Sequence, residues 1–214
     1  MKKIVIAAMM MALPLFAAQA QRGLISTKKL YTQKANMTEY SAAGAVPEKD
    51  GKVVFSKEID AAGKSKEEIY NAVASFAALR FEANMKRGEW REPQFFKNID
   101  YAKVTKADKT EGVITAQGAE ELIFSNRTLS QDYTQIFYLF TANIADGRVT
   151  VTMSNIAYVY AGSGDSTRIT AEEWITDQEA LNKKGELRRI NGKFRVKTID
   201  LFDELVDEIA DKLK

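Results

Sequence analysis

The sequence predicts an α+β domain, an antiparallel sheet of about five strands with helices packed on one face. Three observations predict it. Asp146-Gly147 separates two long runs of alternating apolar and polar residues, the pattern of a two-residue hairpin. Ser65 and Glu68 make a capping box ahead of Ile69, Val73, Phe76 and Ala77, which recur on one helical face. Near the end, Phe202, Leu205, Val206, Ile209 and Leu213 form an apolar stripe that needs a surface to lie on.

Lys2 and Lys3 precede an apolar stretch from Ile4 to Ala17, and Ala18-Gln19-Ala20 follows with small residues at both positions a signal peptidase reads. Residues 1–20 therefore read as a cleavable secretory signal. The stretch is short for a membrane span, and no later segment approaches the roughly 20 apolar residues that spanning requires. An exported protein, periplasmic or extracellular, is expected after cleavage near Ala20. Residues 21–50 are polar and aperiodic, closed by Pro47 and Asp50-Gly51, and read as a flexible leader. The competing reading tucks a strand onto the domain through Leu30 and Tyr31. A single domain then runs over residues 51–214.

Within it, Val53, Phe55 and Ile59 share one parity and predict a first strand to Asp60. The capped helix follows, until Gly88. Pro93 breaks the chain before a second strand over residues 99–106, and a turn over residues 108–112 leads to a third from Val113 to Gln117, running on to Phe124. Taking Asp146-Gly147 as the turn, with positive φ at both positions, fixes the hairpin register. Ile144 then faces Val149, Ala142 faces Val151 and Phe140 faces Met153 on one side; Asn143 faces Thr150 and Thr141 faces Thr152 on the other. One face is apolar and the other rich in hydroxyls, as suits a sheet covered on one side.

After a loop over residues 161–165, Thr170 and Glu173 form a second capping box, predicting a helix that carries Trp174, Ile175 and Leu181. Asn191-Gly192 predicts a tight ribbon flanked by residues 187–190 and 194–196. In the last helix, acidic residues in the first turn and lysines in the last suit the helix dipole. The order is β-α-β4-α, with an extra helix and ribbon before the last helix.

Composition removes several function classes. The chain has no cysteine and no histidine. Disulfides and a lipobox anchor are excluded, as are Ser-His-Asp and Cys-His nucleophile systems and any zinc site that uses either residue. No cofactor or metal motif is present, and none is expected. There are 31 basic and 29 acidic residues; loss of Lys2 and Lys3 with the signal leaves 29 of each. Non-specific nucleic-acid binding needs a cationic excess, so no nucleic acid is expected as a partner.

The chain resembles a family of exported bacterial proteins known as a domain of unknown function with a TBP-like fold. The resemblance is carried by Gly51-Lys52-Val53-Val54-Phe55, by Gly63-Lys64-Ser65-Lys66-Glu67-Glu68-Ile69-Tyr70, by Asp146-Gly147-Arg148, and by Gly192-Lys193-Phe194-Arg195 leading into Thr198-Ile199-Asp200. It covers residues 51–214 and implies a curved antiparallel sheet with two helices on one face. It implies no activity. The fold that grips DNA elsewhere does so with a basic saddle, which a neutral chain does not supply.

Candidate sites are surfaces. Residues 183–197 hold Lys183, Lys184, Arg188, Arg189, Lys193, Arg195 and Lys197 against Glu186 alone, a candidate patch for an anionic headgroup or acidic glycan, or else a solvated ribbon neutralised by the acidic last helix. Thr141, Thr150 and Thr152 on the hydroxyl-rich face are a second candidate, although threonine is also favoured in exposed strands. Asp200, Asp203, Glu204, Asp207, Glu208 and Asp211 line one helix, which does not supply the curled loop calcium prefers. Asp165-Ser166-Thr167 matches a short O-glycosylation signal at Ser166, and Asn36-Met37-Thr38 and Asn126-Arg127-Thr128 fit the N-glycosylation triplet. These features predict a non-enzymatic envelope module that binds a glycan, lipid or protein. The alternative is a hydrolase of envelope polymers using two carboxylates.

Overall fold

The computed structural model describes residues 37–82, 102–127, 130–160 and 167–214. The elements are α1 (Thr38–Ser41), β1 (Glu48–Lys49), β2 (Lys52–Val53), β3 (Phe55–Asp60), α2 (Lys66–Ala77) continuing into a wider π turn (Ala78–Glu82), β4 (Lys103–Asp108), β5 (Val113–Arg127), β6 (Ser130–Ala145), β7 (Arg148–Tyr160), β8 (Thr167–Thr170), α3 (Asp177–Ala180) and α4 (Asn191–Lys212). The main sheet is antiparallel in the order β3-β7-β6-β5-β4, and β8 pairs the far end of β7. It has six strands rather than about five because β8, expected as part of a loop and cap, joins it.

The register expected from the central turn holds: Ile144 pairs with Val149, Ala142 with Val151, Phe140 with Met153, Asn143 with Thr150 and Thr141 with Thr152. Only Gly147 of the turn has positive φ, at 73°. Asp146 is held otherwise, its Oδ1 accepting from Lys66 N at 2.7 Å while Gly147 N donates to Lys64 O at 3.0 Å. Docking on the start of α2 therefore sets this turn. The two-residue turn with positive φ at both positions lies instead at Asp50 (51°) and Gly51 (70°), between β1 and β2.

The capping box on α2 is formed: Ser65 Oγ accepts from Glu68 N and Glu68 Oε2 accepts from Ser65 N. It aims Ile69, Val73, Phe76 and Ala77 at the sheet, where all are buried. Phe76 meets Phe81 edge-on, and both lie against Phe140 of β6. Phe202 of α4 packs on Phe55 of β3, and Phe194 sits among Phe124, Tyr158, Tyr160 and Trp174. Both long helices thus lie on the one face that carries the even-numbered residues of β6.

Three local expectations are corrected. The ribbon at Asn191-Gly192 is the first turn of α4, and neither residue has positive φ. Phe194, Thr198, Leu201, Leu205 and Ile209 are all buried at helical spacing, so the stripe begins earlier than the acidic segment and no acid falls in the first turn. Thr170 and Glu173 bond as a box, but only turns follow, with Trp174 N and Ile175 N donating to Ala171 O before the short α3. Of the segment expected as a leader, residues 37–50 are docked: Val46 is buried, and Arg195 takes the carbonyls of Tyr40 and Ala42. The signal, residues 21–36 and the break at Pro93 lie outside the described residues.

Gly118 of β5 opposes Tyr138 of β6, whose ring lies over it; a Cβ built there would sit 2.1 Å from Tyr138 Cζ. Because the ring is buried against Phe81 and its hydroxyl donates to Glu120, it has little room to yield. Gly118→Ala is expected to cost about 1–3 kcal/mol of stability by overpacking, read as a lower urea midpoint. An unchanged midpoint would show that the ring moves freely.

Candidate functional site

The expected basic patch is not assembled. Arg188 and Arg189 are exposed, with Arg188 Nε donating to Leu181 O at 2.9 Å, but Lys193 and Arg195 point into the protein. Arg195 is fully buried in the first turns of α4. Its Nε donates to Tyr40 O (2.6 Å), Nη1 to Ile175 O (2.9 Å), and Nη2 to Ala42 O (3.2 Å) and Asp177 Oδ1 (2.7 Å). Four acceptors fill the planar fork, which is the use a guanidinium serves better than an ammonium. Asp177 Oδ2 also accepts from Gly44 N at 2.9 Å, and Tyr40 OH donates to Asp200 Oδ1 at 2.7 Å. Burial first, then Asp200, pushes the Tyr40 hydroxyl well above the usual phenol range. Arg195 is thus a staple for residues 40–42 and the turn before α3.

Lys193 fills an aromatic box. Its Nζ stands 4.4 Å from the centroid of Phe124, 4.8 Å from Tyr160 and 5.7 Å from Phe194, and donates to Asp132 Oδ2 at 2.7 Å and Tyr160 OH at 3.1 Å. Ring faces and a carboxylate stabilise an ammonium that the N-terminal end of a helix would otherwise disfavour. Lys197 is also buried. Sequence counting finds these cations but not their burial.

The acidic helix is also turned to internal use. Arg80, buried at the end of α2, donates to Glu120 Oε2 (2.8 Å), Glu204 Oε1 (2.9 Å) and Glu208 Oε1 (3.0 Å), and Tyr138 OH donates to Glu120 Oε1. Burial pulls the Arg80 guanidinium down, but Glu120, with Tyr138, Glu208 and Glu204, holds it well above its ordinary value. Burial raises Glu208, Arg80 partly opposing and Glu204 and Glu120 adding to it. Burial likewise raises Asp203 and Glu121. Nothing in the sequence pattern links Arg80 to Glu120, forty residues away. No group of His, Cys, Asp or Glu able to hold a metal ion is found among the described residues.

The second candidate is assembled and extended. Register places Ser56 opposite Thr152, Thr152 opposite Thr141, and Thr141 opposite Thr115. At the β4 edge, Thr105 Oγ1 meets Thr115 Oγ1 at 3.0 Å; at the other edge, Ser56 Oγ meets Thr152 Oγ1 at 3.4 Å. One row of hydroxyls therefore crosses five strands, a span of about 19 Å at a strand spacing near 4.8 Å. Thr150 and Asn143 form the next row with Glu58 and Val113. The sequence reading found Thr141, Thr150 and Thr152 through one turn; Ser56, Thr115 and Thr105 needed the pairings of β3, β5 and β4. Ser166, Asn36 and Thr128 lie outside the described residues.

An antiparallel sheet backed by two helices, with its other face carrying this hydroxyl row, defines a TBP-like α+β domain. Residues 55–159 match the family described as a domain of unknown function (DUF4468) with TBP-like fold. A DUF4468 family protein from Bacteroides ovatus, known from its crystal structure, is 35% identical, with a TM-score of 0.71 over 84% of this chain and 96% of that one. The chain belongs to the DUF4468 family. A TBP-like protein from Parabacteroides distasonis shares the fold at 22% identity, with a TM-score of 0.59 over 78% of this chain and 96% of that one. No curated protein matches.

Proposed function

We propose that this protein is a non-enzymatic exported module of the cell envelope that holds its partner on the open face of the sheet, not on a basic ribbon. The observation that carries the reading is the hydroxyl row: Thr141 at its centre, and Thr150 and Asn143 in the row beside it, have side chains that make no hydrogen bond within the protein among the described residues. A binding face needs donors and acceptors directed outward, and these are available. The same face sets Lys103, Lys106 and Arg148 against Glu58, Asp60, Asp108 and Glu121, and Arg148 and Lys106 are each paired with a carboxylate. That balance does not favour a polyphosphate partner.

The hydrolase alternative needs two accessible carboxylates beside a scissile bond. Glu120, Glu204 and Glu208 do converge, but on Arg80, and Glu120 is buried beneath the Tyr138 hydroxyl. Carboxylates neutralised this way are poor general acids and bases.

Thr141→Arg, which places a bulky charge mid-face, is expected to weaken saturable binding to isolated envelope fractions by at least about tenfold. The melting transition should stay unchanged, and Arg188→Ala with Arg189→Ala should bind normally. Binding that survives Thr141→Arg but is lost on removing the two arginines would overturn the reading, and release of product from an envelope polymer would replace it with the hydrolase.

A further inference from the structure

Resting on the open-face reading, we infer that the partner is a neutral polysaccharide strand lying across the sheet along the row Ser56, Thr152, Thr141, Thr115 and Thr105. Strand propensity accounts for threonine in a sheet, but not for the company it keeps. Asparagine is disfavoured in strands, yet Asn143 occupies the central strand β6, exposed and opposite Thr150. Gln117, two residues from Thr115 on the same face, keeps Oε1 buried with no donor, an unmet acceptor beside the row. Hydroxyls and amides are donors and acceptors at once, which is the chemistry that matches a sugar hydroxyl.

Charge points the same way. Arg148 Nε lies 3.7 Å from Glu58 Oε2, and Lys106 pairs with Glu111 and, at 3.9 Å, with Asp108. The ion pairs at the margins are internally compensated, and the row between them is uncharged. An anionic headgroup or acidic polymer would find no cationic cluster along the row, and a lipid tail would meet hydroxyls there. A peptide strand draws its main affinity from a sheet edge rather than a face. A neutral glycan needs neither charge nor edge. Its rings recur at about the strand spacing, so successive units can meet successive strands of the row.

The test uses the mature protein and neutral linear hexasaccharides of glucose and mannose as probes, with dextran sulfate as the anionic control, titrated by calorimetry and amide chemical shifts. Expected is saturable, salt-insensitive binding to a neutral hexasaccharide that shifts β6 and β7 amides. It should weaken at least about tenfold in Thr141→Val with Thr152→Val, which removes two hydroxyls at nearly constant shape. Asn143→Ala should weaken it independently. Failure of every neutral hexasaccharide, binding that survives the valine pair, or salt-sensitive binding to dextran sulfate alone would each overturn the inference. The two readings fail separately. If Thr141→Arg abolishes envelope binding while the hexasaccharides do not bind, the surface stands and the glycan is lost. If Thr141→Arg leaves envelope binding intact, the surface itself is lost.

Discussion

Replacing Arg195 with alanine is expected to destabilise the protein by about 3–5 kcal/mol, the range for removing one member of a buried charged network. The substitution strips hydrogen bonds from Tyr40, Ala42 and Ile175 carbonyls, leaves Asp177 unpaired, and opens a cavity where a fully buried side chain stood. Against a total of 5–15 kcal/mol this is a large fraction. For a chain of this size it corresponds to roughly 10 °C in Tm. Arg195→Lys should recover little, because an ammonium cannot reach three carbonyls and a carboxylate in one plane. Arg188→Ala, seven residues earlier and exposed, should change stability by no more than about 0.5 kcal/mol. Thermal unfolding of the three variants decides it; similar Tm values for Arg195→Ala and Arg188→Ala would refute the staple.

Arg80→Met is expected to cost about 3 kcal/mol or more at neutral pH, since three carboxylates then share a partly buried site that has lost the guanidinium they all bind. The loss should shrink on acidification, as protonation removes the uncompensated charge. In the parent protein the sign for Glu208 runs the same way. Its folded pKa lies above that of an ordinary glutamate, so the native state binds more protons there than the unfolded chain. That contribution is fully present below the unfolded pKa and is lost as pH rises through the folded pKa. Glu208 is nearly half exposed, so solvent screens the effect in the parent. Glu208→Gln should therefore flatten the parent's stability profile slightly above the unfolded pKa. Urea midpoints across mildly acidic to neutral pH check both variants; an Arg80→Met penalty independent of pH would refute the account.

Local signals carried much of the fold. Asp146-Gly147 and its flanking alternation sufficed for the β6–β7 register, because a two-residue turn ties facing residues to one count. Ser65 with Glu68 located the start of α2, and the stripe from Phe202 to Leu213 placed the end of α4 on the sheet. Asn191-Gly192 misled because the same dipeptide can open a helix: Asn191 Nδ2 bonds to Trp174 O, and a Cβ on Gly192 would press Leu187 at 2.9 Å. The earlier stripe through Phe194, Thr198 and Leu201 was there to be read, but two buried cations interrupt it.

The site was legible only where a turn dictated it. Thr141 and Thr152 face each other through one hairpin, whereas adding Ser56 and Thr115 required pairings shaped by irregularities at Ile123/Ser125 and Phe137/Leu139. A run of like charge says nothing of where each side chain turns. Lys193 and Arg195 turn inward where Arg188 stays exposed because rings, carbonyls and carboxylates from other segments receive them.

Tyr40 and Arg195 stand 155 positions apart, yet one guanidinium clasps both Tyr40 and Ala42. A growing chain can shape its central hairpins early, since their partners are neighbours along the polymer. The carbonyls of Tyr40 and Ala42 have no guanidinium to hold them until the closing helix is made. A nascent chain lacking its final two dozen residues therefore leaves that clasp undone.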